Sequence, residues 1–288
     1  PTYGSKEAIF TMSLVVGDAK GDKNLVLVPE PAYPVYERGA LFAGMEVQHL
    51  PLLERNGFLP DYQAISPETW RRTAILWVNY PNNPTAAVAP PSFYEDLSRL
   101  AIEYDFLLAS DEAYGEIYFG KAPLTALAVR DRRNVAVINT LSKRSSMVGY
   151  RSGAIVASPE LVAALRAFRP NVGVAPQEFV QRAAIWAWDD EQHVADMRHS
   201  YAAKREALLD ALEAKHLRVA GCEATFYLWV ATPNGQASED FAVRLLDGGI
   251  VVTPGSYFGG AGEGYVRFAL VPTLEQCQRA GKILKELL

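Results

Sequence analysis

Residues 135–151 read VAVINTLSKRSSMVGYR and place one lysine, Lys143, just beyond a β-branched apolar run. The run predicts a buried strand, so Lys143 would lie at that strand's carboxyl end, where ligands bind in open parallel sheets. Hydroxyl residues beside the lysine and Arg151 a short loop away suit a phosphorylated cofactor. We interpret Lys143 as a Schiff-base lysine. From this stretch alone, a solvated loop lysine is the alternative.

Composition and charge narrow the class of protein. The chain has 288 residues, 49% hydrophobic and 21% charged, which is typical of a globular protein of enzyme size and predicts one large domain plus a smaller one. The net charge of −5 disfavours nucleic-acid binding, and the four histidines show no metal spacing. No apolar run is long enough to span a membrane, no signal segment opens the chain, and two cysteines fit a reducing compartment. We therefore expect a cytoplasmic protein without membrane contact.

Strand-like and helix-like segments alternate through the first half of the chain, which predicts an α/β fold with a mostly parallel sheet. The strands expected there are 24–29, 46–51, 74–80, 106–110, 135–140 and 153–157.

The pattern changes after Arg218, where short strands and helices interleave in a smaller α+β domain. Strands are expected there at 226–230, 250–253 and 266–270. A helical stretch before it, broken near 189–190 or 199–200, would link the two parts. We expect a cofactor-binding large domain over 1–175, bridging helices over 176–217 and a small C-terminal domain over 218–288.

Polar residues follow three of the predicted strands. Asn83 lies in a proline-flanked turn after 74–80, Asp111 follows 106–110, and Lys143 follows 135–140. A parallel sheet brings these residues to one edge. Asn83 could serve only to form the turn, and Asp111 could serve only to cap a helical turn. A buried carboxylate is nevertheless costly without a cationic or hydrogen-bonding partner.

Two further segments could complete a cofactor site. Gly4, Ser5 and Lys6 open a helix whose backbone N–H groups would bind an anion, although such a start is also an ordinary cap. Tyr33, between prolines, could stack on a planar ring or pack in the core. The glycine-rich stretch 259–264 precedes a strand and therefore does not predict a dinucleotide loop.

Pyridoxal phosphate needs a lysine for its aldehyde, a carboxylate for its ring nitrogen, donors for its phenolate oxygen and an anion site for its phosphate. In motifs and spacing the chain resembles the class I/II aminotransferases of fold type I. The matching motifs are Asn83-Pro84-Thr85, Ser110-Asp111-Glu112-Ala113-Tyr114, Ser142-Lys143 with Arg151, and Pro254-Gly255 with Arg267. More narrowly, residues 140–145, 187–194 and 262–267 resemble bacterial N-succinyldiaminopimelate aminotransferases of lysine biosynthesis.

The resemblance implies a role for each matched residue. Lys143 would hold the cofactor as a Schiff base and then move the proton between the substrate α-carbon and the cofactor, with Asp111 paired to the ring nitrogen. Asn83 and Tyr114 would bind the phenolate oxygen, and Tyr33 would stack on the ring. The phosphate would be bound by Gly4, Ser5, Lys6, Ser142 and Arg151, with Thr140 adding a hydroxyl. Arg267 would bind the substrate α-carboxylate bidentately, and Asn83 would also contact the substrate.

Two departures from the family pattern stand out. Ala86 occupies a position where the family usually has glycine, so we expect a slightly altered turn around Asn83. The family also carries an additional N-terminal segment, and because the sequence opens at Pro1 we expect such a segment upstream.

The expected function is an aminotransferase that uses glutamate as donor and N-succinyl-2-amino-6-oxopimelate as acceptor, acting as a homodimer on amino acids and 2-oxo acids. Two alternatives remain open at this point. One is another amino acid aminotransferase or β-lyase of the same fold, and the other is a catalytically silent, aminotransferase-like regulatory domain.

Overall fold

The computed structural model describes residues 1–173 and 175–288 and contains two sheets. The larger sheet has six strands in the order β2-β1-β3-β4-β5-β6, of which β1 to β5 are parallel and β6 is antiparallel to β5. Its strands are β1 Leu25–Glu30, β2 Glu46–Pro51, β3 Thr73–Asn79, β4 Leu107–Asp111, β5 Val135–Thr140 and β6 Gly153–Val156. The predicted, mostly parallel α/β sheet is confirmed.

Helices cover both faces of this sheet and continue into the C-terminal part of the chain. They are α1 Ser5–Val16, α2 Val35–Phe42, α3 Pro67–Arg72, α4 Pro91–Glu103, α5 Leu141–Arg144, α6 Pro159–Phe168, α7 Glu178–Asp189, α8 Gln192–Ala214, α9 Ser238–Asp247 and α10 Leu274–Leu287. Every residue of β3 is buried, as expected for a central parallel strand that packs against helices on both sides. Because this packing holds β3 in place, the residues that follow its carboxyl end start from a fixed position.

The second sheet is antiparallel, with the order β7-β8-β10-β9. Its strands are β7 Val219–Gly221, β8 Tyr227–Ala231, β9 Thr253–Pro254 and β10 Tyr265–Ala269. The prediction of a strand over 250–253 is wrong, because Ile250 is buried outside the sheet and only Thr253–Pro254 pairs with β10. A third core lies between this sheet and helices α8 and α10.

The helical stretch between the sheets is interrupted at 190–191, so the first of the two predicted breaks is confirmed and the break at 199–200 is wrong. Apolar residues on α8 stay periodic through that point and are buried, including Tyr201 and Leu208. Within residues 1–173 and 175–288, no helix combines the length and the hydropathy needed to cross a membrane.

Candidate active site

The carboxyl ends of β3, β4 and β5 meet at one edge of the large sheet. In the strand register Asn79 lies beside Asp111, and Asp111 lies beside Ile138. The turn that carries Asn83 and the short helix α5 that carries Lys143 start just beyond these ends. The structure thus brings the three predicted residues to the same edge, as parallel topology requires.

Asp111 is a buried carboxylate with defined donors. Its Oδ2 accepts a hydrogen bond from the Tyr36 hydroxyl at 2.7 Å, and its Oδ1 accepts one from the backbone N–H of Ala113 at 3.1 Å. Burial raises the pKa of Asp111, while the Tyr36 bond, the Ala113 N–H and the charge of Lys143 lower it. Residues 113–116, directly after Asp111, form a turn and not a helix, so the bond from the Ala113 N–H caps a turn.

The Lys143 ammonium lies among aromatic rings, with Nζ 5.2 Å from the Phe226 ring centroid and 5.8 Å from that of Tyr114. Burial and the nearby positive charge of Arg267 lower the pKa of Lys143, and Asp111 acts in the opposite direction. A lysine with a lowered pKa has more of the neutral amine, which is the form that acts as nucleophile and base. Its surroundings therefore differ from those of a solvated loop lysine.

Tyr114 extends the polar side of the site. Its hydroxyl lies 3.1 Å from the hydroxyl of Tyr227, and burial raises the pKa of Tyr114. The phenol consequently remains a hydrogen-bond donor over the neutral range.

Arg267 on β10 is held from three sides. Its Nη1 donates to Asn83 Oδ1 at 2.6 Å, and its guanidinium lies 4.1 Å from the Tyr227 ring centroid and 4.5 Å from that of Phe258. Its Nε is buried and has no hydrogen-bond partner within the described parts of the chain. A planar guanidinium with an unused buried donor is suited to a carboxylate ligand.

The N-terminus of α1 and Arg151 form an anion-binding arrangement. Helix α1 begins at Ser5 after Gly4, whose φ is +79°. A Cβ on Gly4 would lie 2.5 Å from Nη2 of Arg151, so glycine is what lets the guanidinium approach the helix terminus. Arg151 also donates to Ser142 Oγ at 3.4 Å. Helix N–H groups, a hydroxyl and a guanidinium here match the donors that a phosphate requires.

Three further predicted residues, Thr140, Tyr33 and Lys6, contact the periphery of the site. The Thr140 hydroxyl donates to the Ser152 carbonyl at 3.0 Å and accepts from the Ser142 N–H at 3.2 Å, so it caps α5. The half-buried Tyr33 ring lies edge-on to Tyr36, with centroids 6.0 Å apart. Lys6 Nζ lies 5.9 Å from the Tyr33 ring centroid, so its side chain faces the site as well as its backbone.

The sequence reasoning missed Tyr36, Phe226 and Tyr227, which line the same site. Tyr36 lies one helical turn after Tyr33, and this spacing was the only signal that could have identified it. Tyr227 opens β8, in the other sheet, and Phe226 lies in the turn just before it. The sequence carries no sign that these two rings face Lys143 and Arg267.

The model of the family "Aminotransferase class I and II" matches residues 1–284 of the chain. The chain is an aminotransferase of class I and II. Curated relatives of this aminotransferase include the LL-diaminopimelate aminotransferase of Nitratidesulfovibrio vulgaris, which is 42% identical over 93% of this chain and 69% of its own length. The enzyme of the same name from Aquifex aeolicus is 41% identical over 99% of this chain and 74% of its own length.

Solved structures show the same fold. An aminotransferase from Neisseria meningitidis superposes with a TM-score of 0.93 at 36% identity, over 99% of this aminotransferase and 75% of the neighbour. A Thermus thermophilus protein described as a probable N-succinyldiaminopimelate aminotransferase superposes with a TM-score of 0.91 at 32% identity, over all of this chain and 77% of the neighbour. The fold type I architecture and the family's dependence on pyridoxal phosphate apply to this aminotransferase.

The residues at the sheet edge fit this cofactor. The buried carboxylate of Asp111 suits a protonated ring nitrogen, the amine of Lys143 suits an aldehyde, and the α1 terminus with Arg151 suits a phosphate.

Proposed function

We propose that this aminotransferase moves an amino group between the diaminopimelate skeleton and 2-oxoglutarate, with glutamate as the other amino acid of the pair. The single observation on which the proposal of an amino acid substrate rests is the position of Arg267. Its guanidinium is fixed by Asn83 and two aromatic rings and lies near enough to Lys143 to lower that lysine's pKa. A carboxylate bound to Arg267 would place the adjoining α-carbon toward the amine.

The proposed chemistry assigns the proton transfer to Nζ of Lys143. Pyridoxal phosphate, when bound, supplies an electron-accepting ring that stabilises negative charge at the substrate α-carbon. Lys143 then takes the α-proton as a neutral amine, a form that its lowered pKa favours. The Phe226 and Tyr114 rings beside Nζ exclude water from that proton.

The remaining residues hold the reactants in place. Asp111, whose carboxylate accepts hydrogen bonds from Tyr36 and the Ala113 N–H, would pair with the cofactor's ring nitrogen. Asn83 and Tyr114 would donate to the phenolate oxygen, and Tyr33 would stack on the ring. The phosphate would be bound by Gly4, Ser5, Lys6, Ser142 and Arg151. Thr140 would act mainly by capping α5, which carries Lys143.

The names of the relatives support the diaminopimelate skeleton. Two curated relatives at 41–42% identity are named for LL-diaminopimelate, and the T. thermophilus structure at 32% identity is described as acting on the N-succinyl form. We therefore propose LL-diaminopimelate itself first and its N-succinyl derivative as the second candidate, in place of the succinylated substrate that the sequence motifs favoured.

Three organisational features belong to the same proposal. Residues 1–175 would form the cofactor-binding domain, 176–217 the bridging helices and 218–288 the small domain, a division supported by the two separate sheets. The resemblance to the family supports a homodimer, and the composition supports a cytoplasmic location.

A half-reaction screen tests the proposed activity. Purified protein loaded with pyridoxal phosphate is mixed with LL-diaminopimelate, its N-succinyl derivative, glutamate and aspartate, and the visible spectrum reports conversion to the pyridoxamine form. We expect conversion with glutamate and with one diaminopimelate compound. A β-lyase would instead release pyruvate, ammonia and chloride from β-chloroalanine, which carries a leaving group on its β-carbon, and the absence of any conversion would favour a regulatory domain. Lys143→Ala should abolish conversion, and retained turnover in that variant would contradict the proposed mechanism.

A further inference from the structure

Arg144, the residue after Lys143, is a buried cation at the end of α5, just beyond the carboxyl end of β5. Its side chain is only 2% exposed, although it carries a full positive charge. Burying a guanidinium is costly unless its donors are satisfied, so the contacts that satisfy it indicate what it does.

Its hydrogen bonds are all made with the C-terminal end of α7 and the junction between α7 and α8, and its Nε also lies 4.0 Å from the carboxylate of Glu116. Nη1 donates to the Ala187 carbonyl at 2.6 Å and lies 3.5 Å from that of Asp190, and Nη2 donates to the Trp188 carbonyl at 3.4 Å. Nη2 also binds the carboxylate of Glu191, and the guanidinium lies 5.2 Å from the Trp188 ring centroid. The Ala187 and Trp188 carbonyls belong to the last turn of α7, whose carbonyls the helix leaves unpaired and where the helix dipole attracts a cation.

The residue after Arg144 makes the same connection. His193 on α8 has Nε2 2.8 Å from Ser145 Oγ and Nδ1 2.9 Å from Asp190 Oδ2. The segment that follows Lys143 is therefore held to the α7–α8 junction by two consecutive side chains, while Thr140 caps α5 at its start. Helix α5 has four residues and cannot hold a fixed geometry by its own backbone bonds.

We propose that Arg144 is a positioning residue for Lys143: by binding the carbonyls at the end of α7, it fixes the orientation of α5 and hence the position of the Lys143 amine. The inference rests on the catalytic role proposed above for Lys143. Misplacement of a reacting group by about 1 Å costs up to about a hundredfold in rate, so a fixed α5 matters for turnover.

The first test measures Lys143 without the cofactor. Cofactor-free wild type, Arg144→Gln and Arg144→Lys are treated with an amine-acylating reagent, and mass spectrometry follows the labelling rate of Lys143. We expect the rate to change by about tenfold in both variants, because a neutral amide has only two donors and an ammonium presents its three donors from a single nitrogen, not in the planar fork of the guanidinium. Arg205→Lys is the matched control, since Arg205 also donates to a carbonyl, that of Cys222, and lies over the Phe119 ring. The labelling rate of Lys143 in Arg205→Lys should equal that in wild type.

The second test uses the loaded enzyme. Arg144→Lys should lower kcat by roughly ten- to a hundredfold while the KM for the amino acid changes far less. If the Arg144 variants and Arg205→Lys lose the same thermal stability but leave Lys143 labelling and kcat unchanged, Arg144 is only a structural residue and the proposal is wrong.

A third variant covers the case in which the Arg144 variants do not fold. Glu191→Gln removes the hydrogen-bonded carboxylate partner of Arg144 at a largely exposed position and leaves the more distant Glu116 in place. Faster labelling of Lys143 in Glu191→Gln supports the proposal, and wild-type labelling in it contradicts the proposal. Because labelling needs no cofactor or turnover, these outcomes are separate from the Lys143→Ala test of the catalytic role.

Discussion

The Tyr36 hydroxyl lies 2.7 Å from Oδ2 of Asp111, and both side chains are buried. The Tyr36 ring is stacked on Trp77 with centroids 5.0 Å apart, which fixes the direction of the hydroxyl. Burial raises the pKa of Asp111, and the Tyr36 bond opposes that rise. Tyr36 therefore helps to keep the carboxylate charged in a place where desolvation favours the neutral acid.

Removing the Tyr36 hydroxyl should weaken the interaction of the Asp111 carboxylate with the cofactor. A hydrogen bond to a charged group is worth about 1.5–3 kcal/mol, so we expect Tyr36→Phe to reduce cofactor affinity and turnover by roughly ten- to a hundredfold. Absorbance titration and steady-state kinetics measure the two effects. Tyr62→Phe is the matched control, because its hydroxyl donates to Asp96 at 2.8 Å outside the site. Equal effects of the two substitutions would contradict the assignment.

The lowered pKa of Lys143 predicts a pH-dependent change in stability for the cofactor-free protein. Folding lowers the pKa of this amine from its ordinary value of 10.5, because the folded protein disfavours the charged form. The resulting loss of folding free energy is complete at a pH below the lowered pKa, where the amine is charged in both states, and it disappears above pH 10.5, where the amine is neutral in both. Lys143→Met should therefore stabilise the cofactor-free chain at neutral pH, and the gain should shrink as the pH rises toward 10.5. Urea unfolding at several pH values measures this. The exposed Lys121→Met should show no such trend, and a pH-independent gain in Lys143→Met would contradict the prediction.

Substitution of Arg267 should affect substrate binding more than cofactor binding. Lysine cannot reproduce the bidentate contact or the packing between Tyr227 and Phe258, so Arg267→Lys should lower kcat/KM by about ten- to a hundredfold, mainly through KM. Thr253→Val is the control, since it removes only the 3.4 Å contact to Nη2. Loss of cofactor from Arg267→Lys would show that this arginine has another role.

Gly4→Ala should loosen the phosphate end of the site. The added Cβ would lie 2.5 Å from Arg151 Nη2, so the guanidinium must move and cofactor affinity should fall. The positive φ adds a backbone cost of about 1–2 kcal/mol. Gly57→Ala has a positive φ but no atom within 4 Å of its Cβ, so it should lower the melting temperature and leave cofactor affinity unchanged. Unchanged affinity in Gly4→Ala would argue against phosphate binding there.

The turn around Asn83 shows how far a motif can be interpreted. The replacement of the usual glycine by Ala86 suggested an altered turn, yet Ala86 takes a φ of +59° and donates its N–H to the Asn82 carbonyl at 2.9 Å. Asn83 stays buried and reaches Arg267. The left-handed conformation that favours glycine is thus adopted by an alanine, because the buried hydrogen bonds around it compensate for the cost.

The sequence by itself determined the parallel sheet and the positions of Asn83, Asp111 and Lys143 at its edge, because buried β-branched runs specify strands and parallel strands present their carboxyl ends together. Only the tertiary structure decided which side chains meet these residues. Tyr36 reaches Asp111 across 75 positions and Arg267 reaches Asn83 across 184. Such contacts depend on how helices and sheets pack, and local residue patterns carry no information about partners so far away along the chain.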